Sequence, residues 1–173
     1  MPLSAHSVCL SLCGIALLWS SLSATAADIV GRVVGVSDGD TITVLVDNHD
    51  RLKVRLAGID APEKSQPFGS VSKKNLSDHV YEKKVTVEWE KKDRYGRVLG
   101  RVLVDGSDAC LEQIRAGLAW HYKQYAKDQP ASLRVAYEEA ERLARQSRAG
   151  LWREPNPIPP WEFRHPDRAR GEK

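Results

Sequence analysis

The chain of 173 residues has little to cross-link itself with: it holds three cysteines, and two of them, Cys9 and Cys13, lie in an apolar N-terminal stretch. Without that stretch Cys110 stands alone. An internal disulfide is then excluded, and stability must come from a hydrophobic core. Charge is missing from one region altogether, because residues 1–27 contain no Asp, Glu, Lys or Arg. The apolar run from Val8 to Leu22 is shorter than the roughly 20 residues that span a bilayer, and Ala24-Thr25-Ala26 fits a small-x-small cleavage site. Residues 1–27 are therefore expected to be a cleaved signal peptide, which makes the product secreted or periplasmic.

Other absences narrow the chemistry. There is no HExxH, no Gly-rich phosphate loop, no Ser/His/Asp order and no Cys/His constellation, so zinc and nucleophilic-serine chemistry have no foothold. The excess of basic over acidic residues is only +3, from 26 against 23, too small to require a nucleic-acid partner by itself. Charged residues at 28% and hydrophobic residues at 42% exclude collagen-like and wholly disordered chains.

What is present is a set of short β-rich runs. Ile29 to Val36 carries two glycines, which suggests a bent or bulged strand. Thr41 to Val46 leads through the turn Asp47-Asn48-His49-Asp50 into Arg51 to Leu56, where Leu52, Val54 and Leu56 share one face. Val85 to Glu90 and Val98 to Val104 flank a turn at Asp93-Arg94-Tyr95-Gly96. Five strands in hairpins predict a mainly β, α+β fold: a small antiparallel barrel with three helices. The first helix follows Pro67 with Phe68, Ser72, Leu76 and Val80 at four-residue steps. The second carries Leu111, Ile114 and Leu118. In the third, from Pro130 towards Gly150, Leu133, Ala136, Tyr137, Ala140, Leu143 and Ala144 share a face, opposite solvated i,i+4 pairs such as Glu141–Arg145. Cys110 reads as a buried, inert thiol. Residues 154–173, with Pro155, Pro157, Pro159, Pro160 and Pro166, read as an extended or loosely attached tail.

If Val46 pairs with Leu52 across the second hairpin, Asp40 faces Gly58 and Asp60 lies just past the end of the same ladder. Two carboxylates converging beside turn backbone make a hard-oxygen site, suited to Ca²⁺ or Mg²⁺. Arg55, Glu63 and Arg97 each have an ordinary structural reading when taken singly. Together with the acid pair they supply a metal clamp, a general-base carboxylate and two guanidinium forks, the parts for hydrolysing a phosphodiester.

The segments Asp38-Gly39-Asp40-Thr41, Arg55-Leu56-Ala57-Gly58-Ile59-Asp60-Ala61-Pro62-Glu63, Gln66-Pro67-Phe68-Gly69, Asp93-Arg94-Tyr95-Gly96-Arg97 and Gly150-Leu151-Trp152 resemble the staphylococcal nuclease (thermonuclease) family in order and gaps. The likeness runs over about residues 29–153, so the expected domain is 28–153. It implies an OB-fold barrel with three helices and Ca²⁺-dependent cleavage of DNA and RNA to 3′-phosphate ends. It also implies Asp40, Asp60 and the Ala61 carbonyl as calcium ligands, Glu63 as general base, and Arg55 and Arg97 as phosphate binders. Tyr95 matches a nucleotide-stacking position, and Tyr122 and Tyr125 lie in the region of the others; Arg94 adds a basic contact. Lysine pairs at 83–84 and 91–92 beside Arg94 and Arg97 suit flexible single strands without a base code. A monomer with no obligate protein partner is expected. Two rival readings remain at this point: a non-catalytic OB-fold module that binds nucleic acid, and an exported structural protein using its proline-rich tail.

Overall fold

A computed structural model describes residues 28–47 and 49–166, so the expected signal peptide at 1–27 lies outside the described residues. In chain order the elements are β1 (Ile29–Val36), β2 (Thr41–Val46), β3 (Asp50–Leu56), β4 (Ile59–Asp60), α1 (Gly69–Val80), β5 (Lys84–Lys92) and β6 (Val98–Val104). They are followed by β7 (Ser107–Asp108), α2 (Ala109–Arg115), β8 (Trp120–His121), α3 (Ala131–Gln146) and α4 (Pro160–Phe163), with 3₁₀ turns at Lys123–Asp128 and Gly150–Arg153.

The alternating apolar residues of the strands drive the main sheet to curl around one core. Its order is β3-β2-β1-β5-β6-β7, and a pairing of β3 with β6 closes it into a barrel. All its neighbours run antiparallel except that closing pair, which is parallel through Val54↔Val98, Arg55↔Leu99 and Leu56↔Gly100. The barrel is thus mixed rather than purely antiparallel, a feature that hairpin reading of a sequence cannot supply because β3 and β6 are far apart in the chain. β1 is bulged between Val33 and Gly35, where its two glycines led us to expect it. Val33, Ile42, Val44, Val54, Leu56, Val87, Val98 and Val102 fill the interior, and Leu76 and Val80 of α1, Ile114 of α2 and Tyr137 of α3 join the same buried core.

The β2–β3 register differs from the expected one by two residues: Val46 pairs with Asp50, not Leu52, and Thr41 with Arg55. Asp47 adopts a left-handed conformation, φ 49°, so the chain reverses sooner than the turn residues suggested. Because a two-residue slip preserves the side-chain alternation, Leu52, Val54 and Leu56 keep their inward face. Asp40 now accepts a backbone bond from Leu56, 2.8 Å, rather than facing Gly58.

α3 ends at Gln146, before Gly150, and Leu143 on its expected inner face is half exposed. Glu141 keeps its expected pair with Arg145, at 3.5 Å, but is buried rather than solvated and also accepts a hydrogen bond from the His121 backbone N–H at 3.1 Å. Cys110 is fully buried, and burial with the nearby Asp108 charge pushes its thiol up to about 12, which makes it inert as expected.

The largest departure is the tail. Trp120, Ala144, Leu151 and Trp152 form a second small core, against which Phe68, Ala149 and Trp161 pack. Residues 157–164 are therefore docked rather than loose: Pro160 is buried at the start of α4, and the Gln66 side-chain amide donates to the Ile158 carbonyl at 3.1 Å. Proline counting sees the stiffness of this segment but not the tryptophan that gives it somewhere to bind.

Candidate active site

The site lies at the rim where β3 runs out. Between β1 and β2 the chain turns at Gly39, where a Cβ would collide with the Ser72 hydroxyl and crowd the Ala61 methyl at 2.7 Å. Only glycine lets the turn approach α1 this closely, and this seats Asp40 beneath the segment that follows β4. The Asp40 side chain then accepts a hydrogen bond from the Ala61 N–H at 2.7 Å, which ties the two halves of the site together across 21 residues of sequence. β4 pairs with β8, placing Asp60 opposite Trp120.

Asp40 and Asp60 are 6% and 1% exposed, and both reach a single atom. Arg55 Nη2 lies 3.1 Å from Asp40 Oδ2 and 2.9 Å from Asp60 Oδ1. Its Nη1 donates to the carbonyls of Leu56, 2.7 Å, and Ile59, 2.9 Å, so the guanidinium is held on four sides. The convergence expected of the two carboxylates is thus present, reached through a different register. Burial pushes the Asp60 carboxyl up, Arg164 and Arg55 pull it back, and the neighbouring Asp40 charge adds to the upward push. Asp38 rises to about 6, first from burial and then from Asp40. Negative charge is crowded here beyond what one arginine neutralises.

Glu63 is bound into the same cluster from the other side. Its backbone N–H donates to the Gln66 side chain at 2.8 Å, and its carboxylate accepts from Arg164 Nη1 at 2.6 Å. Arg164 also spans Asp60, with Nη2 2.7 Å from Oδ2 and Nη1 3.2 Å from Oδ1. Burial alone would lower the pKa of this guanidinium, but its bonds to Asp60 and Glu63 raise it, so its charge is fixed. Arg164 is the residue that sequence reasoning missed. Nothing local marked it, since it sits in a proline-rich tail 101 positions from Glu63.

Arg97 is held by Asp93, Nε to Oδ2 at 2.7 Å, on the β5–β6 turn, and burial of Asp93 is outweighed by the bonds from Arg97 and Tyr95 that lower its pKa. Tyr95 is exposed on that turn, with Arg94 4.8 Å and Arg97 5.6 Å from its ring centre. Of the expected basic cluster, Lys91 is engaged with Asp128 at 2.7 Å. Tyr122 meets Tyr125 edge-on and Trp161 at a tilt, both with ring centres 5.3 Å away, and burial followed by the charge of Asp60 raises its phenol. This aromatic group adjoins the acidic rim, whereas the β5–β6 turn provides a second, separate aromatic and basic surface.

Among the described residues no group of three or more His, Cys, Asp or Glu side chains converges as a metal cluster. The donors are two buried carboxylates, hard oxygens already bridged by positive charge from Arg55 and Arg164. A donor set of this type fits a hard divalent cation and does not fit a soft one.

A family model described as staphylococcal nuclease homologue matches residues 53–154. The chain belongs to the staphylococcal nuclease family. It is accordingly a nuclease, and its barrel with attached helices is the fold of that family. It is 43% identical over 158 residues to a Haemophilus influenzae protein described as an uncharacterized endonuclease, covering 91% of this chain and 85% of that one. An Escherichia coli protein of the same description is 46% identical over 140 residues, covering 80% of this chain and 87% of its own length. A micrococcal nuclease of Shigella flexneri is 43% identical over 147 residues, covering 80% and 82% respectively.

Proposed function

We propose that this nuclease is a calcium-dependent, exported endonuclease that hydrolyses phosphodiester bonds of DNA and RNA, prefers flexible single strands, and works as a monomer. The observation that carries the reading is one guanidinium, Arg55, bridging two buried carboxylates, with Glu63 joined to the same cluster through Arg164. Asp40, Asp60 and the Ala61 carbonyl would hold the ion. Calcium bound there supplies positive charge to the phosphoryl oxygens of the substrate.

Glu63 accepts a proton from a water directed at phosphorus, opposite the leaving 5′ oxygen, which yields a 3′-phosphate end. Attack builds negative charge on the equatorial oxygens. Arg55, held at the rim by Asp40, Asp60 and the Leu56 and Ile59 carbonyls, stabilises that charge through its fixed guanidinium more than it stabilises the ground state, which lowers the barrier. Arg97 meets the same phosphate after exchanging its Asp93 partner for it, since a phosphate oxygen offers an equivalent charge-assisted bond. Tyr95, with Arg94 beside it, and the Tyr122–Tyr125 pair offer ring faces on which bases stack, and stacking does not distinguish one base from another. Export is supported by the uncharged apolar N-terminal stretch with its small-x-small site at Ala24-Thr25-Ala26.

One assay tests the reading: single-stranded DNA incubated with the protein in calcium or in EDTA. Shortening that requires calcium is the expected result. A gel shift without shortening in either condition would instead make the chain a binding module, and shortening unaffected by EDTA would remove the cation.

A further inference from the structure

Arg164 makes contacts that an incidental surface arginine does not. It takes one lone pair from each oxygen of Asp60 and a third from Glu63, at 2.7, 3.2 and 2.6 Å. Arg55 already holds Asp60 Oδ1 from the opposite side at 2.9 Å. A carboxylate has about four lone-pair positions, so Asp60 keeps little capacity for a further cation while Arg164 remains seated. A positive ion entering beside it would also meet the guanidinium charge at contact distance.

The placement is built, not accidental. Trp161 packs edge-on against Trp120 with ring centres 5.5 Å apart, and lies 5.3 Å from Tyr122. Trp120 is the residue of β8 that pairs with Asp60 of β4, so the tail is anchored to the strand next to the one that carries the acid it covers. Gln66 joins the two partners a second time: its oxygen accepts from the Glu63 N–H at 2.8 Å, and its amide donates to the Ile158 carbonyl at 3.1 Å. Prolines at 157, 159 and 160 limit the conformations of the connecting segment and so lower the entropic cost of presenting the arginine.

We propose that Arg164 is a resident occupant of the cation site: without metal its guanidinium neutralises Asp60 and Glu63, and a divalent cation binds by displacing it. This rests on the assignment of Asp40 and Asp60 as the cation site. The anchor at Trp161 stays docked while the side chain leaves, so displacement is a local swing of one arginine. The same contact also engages the general base, so the cation-free protein is switched off at two groups by one residue.

Calorimetric titration with calcium alone, in the absence of nucleic acid, tests this on the intact protein, Arg164→Ala, Arg164→Lys and Trp161→Ala. Arg164→Ala should bind calcium about tenfold more tightly, the factor expected if the arginine holds the site in roughly nine molecules of ten. Arg164→Lys keeps a charge but not the fork, and Trp161→Ala keeps the fork but loosens its anchor; both should fall between. Equal or weaker calcium binding by Arg164→Ala overturns the proposal while leaving the cation site in place. Absence of heat in every variant overturns the cation site itself, and the proposal with it.

Discussion

Arg55 and Arg97 have the same side chain and are assigned the same task, yet the molecule holds them in opposite ways. Arg55 lies on a strand bonded on both sides, by β2 and by β6, with a side chain 13% exposed and four oxygen partners. Arg97 sits just past a hairpin turn, 29% exposed, with one carboxylate partner four residues away and an exposed tyrosine ring beside it. Under the proposed mechanism Arg55 therefore serves the scaffold and the chemistry together. Arg97 serves the scaffold little and is available to move. Two arginines proposed for one task are thus not equally separable from the fold, and burial and partner number decide which is.

The largest effect follows from removing Arg55. Arg55→Ala leaves two buried carboxylates facing each other with only Arg164 nearby, so stability should fall by about 3 kcal/mol or more, and cleavage should drop by at least about 10². Urea unfolding and a nuclease assay measure the two losses on one preparation. Unchanged stability would show that Arg55 is no more structural than Arg97.

Next comes Glu63→Gln. Glu63 is about one-third exposed and stands on the rim rather than inside the acid pair, so its stability cost is small. Turnover should fall by about 10²–10³ while single-stranded DNA is still bound. Near-normal turnover in this variant would remove Glu63 as the base.

The five long strands, three of the helices and most inward faces were legible in the sequence, because alternation and four-residue steps depend on neighbours in the chain. α2 nonetheless ends at Arg115, before the expected Leu118, and Leu143 faces out. The two ends of the acid bridge were legible too, since Asp40 and Asp60 border one hairpin. The parallel closure of β3 on β6 was not, because no local pattern records which distant strand completes a barrel. The register of β2 on β3 was misjudged because the left-handed Asp47 shortens the turn, and the alternation of apolar residues is blind to a slip of two. Arg164 was hidden for a different reason. Its role depends on a tryptophan three residues earlier finding Trp120, a long-range contact that proline-rich composition argues against.

Arg97→Ala should reduce cleavage by about 10², like the loss of any one charge-stabilising donor, but change stability by no more than about 0.5–1 kcal/mol, the ceiling for an exposed ion pair. This is the direct contrast with Arg55. A large loss of stability here would mean that the Asp93–Arg97 pair organises the β5–β6 turn, and the distinction between a built-in and a mobile arginine would disappear.

The smallest effect sharpens the same contrast. Tyr95 is 68% exposed and touches Arg94 and Arg97 only through its ring face, so nothing in the core depends on it. Its ring offers a base a stacking surface of about 1 kcal/mol, at the lower end of such contacts. Tyr95→Ala should therefore raise KM for single-stranded DNA by roughly fivefold, leave kcat within twofold, and leave Tm unchanged. If kcat fell instead, Tyr95 would be orienting Arg97 towards the phosphate through the 5.6 Å ring contact, and the turn would belong to the chemistry rather than to binding.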